Sequence, residues 1–228
     1  MPRGRRFRGQ NRRVHSETFV IPLWADLLAV GIGSLQGALF AAQFRDKRLD
    51  WLGVAIIGIA TGLGGGLLRD LLLNVPLAPL QHNSYLIVAT AAALVGMLLE
   101  RLFHRLRQVI TVLDALTIGL FGAIGTTKAL SLDLPPVPAV FVGVLSAVGG
   151  SILRDLLLTI PIAIMQVGSL YAIAAGVGSA TLVILYLITG NVLLAAVVCV
   201  AITFGVRILA VLFKWSLPEQ RPLQLRRP

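Results

Sequence analysis

The chain has 228 residues, of which 57% are hydrophobic and only 13% charged, and its mean hydropathy is +0.87. Soluble domains run at about 45–50% apolar and about 25% charged, so an ordinary soluble globule is excluded. A net charge of +10 would suggest nucleic acid in a soluble chain; here the basic residues sit mainly in tails and loops, where they set topology against anionic lipid, and no nucleic-acid partner is expected.

Residues 1–22 form a basic tail with six arginines and no typical A-x-A cleavage site, read as a retained tail rather than a signal peptide. A helix that spans a bilayer needs about 20 apolar residues. Seven windows qualify: 23–43, 51–73, 84–102, 109–130, 136–158, 167–188 and 192–214. They are continuously apolar rather than alternating, which argues against a transmembrane β-barrel. The first carries Asp26, Gly31 and Gly37, and the loop after it Arg45, Lys47 and Arg48. The second contains "TGLGGGLLRDLLL", residues 61–73. The third opens near Tyr85 and is followed by Arg101, Arg105 and Arg107. The fourth holds Asp114, Gly119 and Gly125, with Lys128 near its end, placed either to line a polar mouth or to snorkel to the interface. The fifth contains "SAVGGSILRDLLL", residues 146–158, and the sixth Tyr171. The seventh holds the single cysteine, Cys199, read as a small core residue, and Arg207, read as half of a buried pair or a lipid-headgroup contact. Lys214, Arg221, Arg226 and Arg227 close the chain. With seven spans, the first and third loops and the C-terminus share one side. The positive-inside rule places that side in the cytoplasm and the N-terminus outside, against the pull of the tail arginines.

The second and fifth segments repeat one another. At an offset of 85, Gly58 falls on Gly143, Gly64 on Gly149, Gly65 on Gly150, Arg69 on Arg154, Asp70 on Asp155 and Pro76 on Pro161. Asp26, Gly31 and Gly37 fall on Asp114, Gly119 and Gly125 at an offset of 88, and Tyr85 on Tyr171 at 86. Spans one to three therefore recur as spans four to six. Each copy has an odd number of spans, so the two enter the membrane from opposite faces as inverted repeats. The organisation read from this is a tail (1–22), a first three-helix repeat (23–103), a second, inverted one (109–188), a seventh helix (191–214) and a C-terminal tail (215–228).

Consecutive glycines cost a helix roughly 1 kcal/mol each relative to alanine, and a broken helix survives in a membrane only against protein or a water-filled cavity. Gly64–Gly66 and Gly149–Ser151 thus predict breaks in the second and fifth helices around a polar interior, with the Ser151 hydroxyl offered to it. Close packing along the small-residue face Gly58, Gly62, Gly66 is a compatible reading. A charge near the bilayer centre costs at least ~2.5 kcal/mol, so Arg69 and Arg154 must face the interior or pair. Depth selects Asp26 or Asp70 for Arg69 in the outer half, and Asp114 or Asp155 for Arg154 in the inner half. Each cluster serves as structural ion pairs, as a charged vestibule, or as both.

The doubled glycine and Arg–Asp signature in seven spans resembles the prokaryotic members of the trimeric intracellular cation (TRIC) channel family, sequences also grouped as a bacterial inner-membrane family of glycine transporters. The first copy matches fully; the second has Ser151 at the third glycine. The resemblance covers residues 24–218. It implies a homotrimer in which each protomer holds its own hourglass pore between bent helices two and five, passing K⁺ and also Na⁺, in the inner (plasma) membrane of a prokaryote. The Lys-Glu-Val lipid-binding motif of the animal relatives is not visible, so phosphoinositide control is not carried over.

The sequence lacks a phosphate-binding G-x4-G-K-[ST] loop. His15, His82 and His104 are scattered, and nothing reads as a metal, cofactor or catalytic constellation. The expectation is therefore a seven-helix, all-α membrane protein, not an enzyme, that passes monovalent cations passively among its lipids. A secondary transporter for a small amino acid such as glycine is the alternative, because inverted repeats and broken helices suit it equally. A structural protein with an unbroken second helix and a dry interior is a third possibility.

Overall fold

Each long apolar segment becomes one helix, because only a helix satisfies its backbone polar groups within a segment crossing hydrocarbon. In the computed structural model, residues 21–44, 48–100, 106–166 and 170–216 are described. The arginines of the N-terminal tail, Arg45, Lys47, Arg101, Arg105, His104 and the C-terminal arginines lie outside them. The helices are α1 (Leu23–Ala42), α2 (Trp51–Leu72), a short α3 (Ala78–Gln81), α4 (Asn83–Glu100), α5 (Leu106–Ser131), α6 (Pro136–Leu157), α7 (Tyr171–Thr189) and α8 (Val192–Leu212). All but α3 are long and apolar enough to cross a membrane.

Local chemistry fixes several ends. Asp50 caps α2 by accepting from the Gly53 amide at 2.6 Å, and Asn191 caps α8 by accepting from the Leu194 amide at 3.0 Å. Gly190, at φ +67, closes α7 in the left-handed conformation that glycine adopts without penalty. The ends of α2 and α6 are copies. Asn74 and Thr159 are left-handed at φ 51 and 49, and the following amides of Val75 and Ile160 return to the carbonyls of Asp70 and Asp155. After Pro76 and Pro161, which cannot continue a helix, come α3 and its counterpart, a 3₁₀ turn at Ala163–Met165.

The two repeats assemble in mirrored fashion. α1 packs on α2 and α4, and α5 packs on α6 and α7; α2 crosses α6, and α8 covers α5 and α7. The crossing of α2 and α6 lies on the pseudo-two-fold axis, because its contacts are reciprocal. A Cβ at Gly65 would run into the Ser146 carbonyl oxygen, and one at Gly150 into that of Thr61, its repeat mate. A Cβ at Gly64 would stand 3.1 Å from the Gly150 Cα and 2.6 Å from Leu153; one at Gly149 would stand 3.3 Å from the Gly65 Cα and 2.6 Å from Leu68.

Here the structure corrects one expectation. Helices two and five (α2 and α6) are helical throughout Gly64–Gly66 and Gly149–Ser151, with no turn unwound. The physical reason is the crossing itself. Removing four Cβ atoms lets two backbones touch, which offsets the propensity cost through packing while every carbonyl retains its place in a helix. Small residues elsewhere act similarly, as where the hydroxyls of Ser34 and Thr126 fill the places a Cβ would take at Gly62 and Gly143.

Candidate functional site

Two charged clusters flank the glycine crossing, one toward the start of α1 and the end of α2, the other toward the opposite end of the bundle. In the first, Arg69 is 1% exposed. Its Nε donates to Asp70 Oδ1 at 2.8 Å, and its Nη1 and Nη2 donate to the two oxygens of Asp26 at 3.2 and 3.3 Å. The Tyr85 hydroxyl donates to Asp26 at 2.7 Å. Lys128, from α5, donates to Asp70 Oδ1 at 2.7 Å, and the Ala78 amide of α3 donates to the other Asp70 oxygen at 2.9 Å. Asp70 thus carries a structural task as well as a charge, because it holds the connection that follows its own helix.

The second cluster repeats this plan with substitutions. Arg154, also 1% exposed, donates through Nε and Nη2 to Asp155 Oδ1 at 2.9 and 2.8 Å, and the Ala163 amide donates to Asp155 Oδ2 at 2.8 Å. The Tyr171 hydroxyl donates to Asp114. The Arg154–Asp114 bridge is loose, at 4.0 Å. Asp114 faces Arg207 of α8 at 3.5 Å instead and receives a hydrogen bond from Gln36 at 3.4 Å. The Phe40 ring lies 3.8 Å from the Arg154 guanidinium and the Tyr171 ring 3.9 Å from that of Arg207. Each cluster therefore sets two carboxylates against two cations, so its formal charges cancel. The second cation differs in origin: Lys128 in one, Arg207 in the other. Phe40 stands at the repeat position of Lys128, at the offset of 88, so an aromatic face replaces an ammonium there.

The second cluster opens onto a cavity of about 740 Å³ lined by Arg154, Asp155, Tyr171 and Arg207, with Arg107 and Lys214 at its rim. Among the described residues no group of three or more His, Cys, Asp or Glu is arranged to hold a metal ion.

The glycine-transporter family model matches residues 23–101 and 111–187, a first and a second stretch that coincide with the two repeats. The chain belongs to the glycine-transporter family. One family relative, a UPF0126 membrane protein of Deinococcus radiodurans, is 34% identical over 158 residues, covering 68% of this chain and 72% of its own. The chain also shares the fold of solved TRIC channels. With the TRIC trimeric intracellular cation channel orthologue of Rhodobacter sphaeroides the TM-score is 0.77 at 29% identity, covering 84% of this chain and 97% of that one. With a second TRIC cation channel it is 0.77 at 30% identity, covering 89% and 98%.

Within this glycine-transporter-family protein, Asp26, Arg69, Asp70 and Lys128 meet in one cluster and Asp114, Arg154 and Asp155 in the other. Lys128 does not snorkel freely: its ammonium is held by Asp70 and its side chain is 25% exposed. Gly64, Gly65, Gly149 and Gly150 meet at the crossing, whereas Gly66 has only ordinary contacts, at 3.8 Å or beyond. The Ser151 hydroxyl turns back to donate to its own helix at Val148, rather than to a cavity. Gln36, Phe40, Tyr85 and Tyr171 complete the clusters, with no role assigned to them from the sequence alone. The tyrosines are detectable, since both align across the repeats; Gln36 and Phe40 fall on Ile124 and Lys128, residues of a different kind, at the offset of 88 and leave no such signal.

Proposed function

We propose that this protein is a passive channel for monovalent cations, K⁺ and also Na⁺, with one pathway per protomer of a homotrimer. The observation that carries the reading is the likeness to solved TRIC cation channels over 97–98% of their chains. The site supports it: two internally neutralised charged clusters at opposite ends of the bundle offer a cation stepping stones without an unpaired arginine to repel it. The pathway runs from the first cluster, past Gly64–Gly66 and Gly149–Ser151, to the cavity at the second. Arg107 and Lys214 rim that cavity, so the positive-inside rule puts it on the cytoplasmic side of a prokaryotic inner membrane and the N-terminus outside. On α4 the apolar side chains of Ile87, Leu94 and Leu98 are exposed and left for lipid or a neighbouring protomer.

A second reading, a transporter for a small amino acid, draws on a different observation. The clusters are unequal, one tightly bridged and the other loosened beside a cavity, as alternating access in inverted repeats requires. Reconstitution in liposomes tests both: K⁺ current and labelled-glycine uptake are measured side by side, with native mass giving the oligomeric state. Saturable glycine uptake with no current refutes the channel, and a monomer that conducts refutes the obligatory trimer.

A further inference from the structure

The two repeats agree at the glycine crossing except at one large side chain. Phe121 of α5 is 1% exposed, and its repeat mate, at the offset of 88, is Gly33 of α1. The ring lies against the glycines of α2. Its atoms stand 3.3 and 3.4 Å from where a Cβ would sit on Gly65, 4.0 Å from that place on Gly66, and 3.5 Å from that place on Gly33. One ring thus occupies the space in front of Gly33 and Gly65 together, and a mirrored ring at position 33 would collide with it. Two-fold symmetry cannot be kept at this point on the axis.

We propose that Phe121 is the apolar plug of the ion pathway, seated between the first charged cluster and the α2–α6 crossing; the inference rests on the channel reading above. On one side, the Cβ position of Gly66 is 3.8 Å from the Arg69 guanidinium and 4.0 Å from the ring, so the ring borders the cluster. On the other, a Cβ on Gly65 would meet both the ring and the Ser146 carbonyl of α6. Val30, Leu63 and Ile124 complete an apolar surround. A short apolar constriction excludes water, and with it an ion that needs hydration or its replacement. The contacts also account for a difference between the motif copies. Space remains only on the Gly66 side, where a longer side chain would meet the ring, and the third glycine is kept there. In the copy without a ring, that place is Ser151.

The test compares K⁺ flux into liposomes for the wild type, Phe121→Ala and Phe121→Cys, the last in a Cys199→Ser background, with native assembly checked by size exclusion. Phe121→Ala is expected to raise flux roughly ten-fold. Phe121→Cys is expected to raise it less, and to lose the gain when a positively charged methanethiosulfonate is attached. An assembled Phe121→Ala channel with wild-type flux, or an assembled Phe121→Cys protein whose flux is at wild-type level and insensitive to the reagent, overturns the plug. If the alanine variant does not assemble, the cysteine variant decides alone. Absence of K⁺ flux from all assembled proteins, wild type included, refutes the channel reading instead, and the plug with it.

Discussion

The unequal bridges of the two clusters make a quantitative prediction about coupling. Arg69 and Asp26 share two hydrogen bonds, at 3.2 and 3.3 Å, between groups that are each at most 10% exposed. A hydrogen bond to a charged group contributes about 1.5–3 kcal/mol, and two sharing one geometry fall short of additive, so the Arg69/Asp26 coupling should be about 3 kcal/mol. Arg154 and Asp114 stand 4.0 Å apart, beyond a hydrogen bond, and Asp114 retains Arg207, Gln36 and Tyr171; the coupling there should fall toward the low end of the range for networked residues, about 1 kcal/mol. The single variants do not separate the clusters: Arg69→Ala leaves Asp26 with the Tyr85 hydroxyl and Asp70 with Lys128, whereas Arg154→Ala leaves Asp114 with Arg207 but Asp155 with the Ala163 amide, so each should cost about 3–5 kcal/mol. The assay is a pair of double-mutant cycles, Arg69→Ala with Asp26→Asn and Arg154→Ala with Asp114→Asn, read as unfolding free energies in detergent. The expected gap of about 2 kcal/mol exceeds the usual additivity error of about 0.3–0.5 kcal/mol. Equal couplings, or a larger one for the Arg154 pair, would refute the assignment of a tight and a loose bridge.

Gly65→Leu and Gly150→Leu should be equally damaging, because each drives a side chain into a backbone carbonyl of the facing helix; a loss of at least about 1–3 kcal/mol and of K⁺ flux is expected, checked by thermal melting and liposome assay. Gly205, in α8, has nothing within 4 Å of its Cβ position, so Gly205→Ala should raise stability by about 0.5–1 kcal/mol, read from the melting temperature. Lys128→Met leaves Asp70 held by Arg69 and the Ala78 amide. It should lower stability by only about 1 kcal/mol and raise K⁺ flux at low ionic strength, with the gain shrinking as salt screens the site.

Some of this protein is decided by the order of residues alone. Helix length and apolarity set seven spans, because hydrocarbon tolerates no unpaired backbone. An odd-numbered repeat sets inverted topology by parity, and depth along a helix follows from counting at 1.5 Å per residue. Those facts bring Arg69 level with Asp26 and Arg154 level with Asp114. Rotation about the helix axes and the distances between helices come only from packing. Packing turned the glycine runs from expected breaks into a backbone crossing, returned the Ser151 hydroxyl to its own helix and gave Asp114 to Arg207 rather than to Arg154. It also set Phe40 beneath one arginine where Lys128 sits beside the other cluster, and laid Phe121 across the axis. Residues with no equivalent in the other copy cannot be read from the repeat, since their partners are chosen by space that exists only after the helices have met.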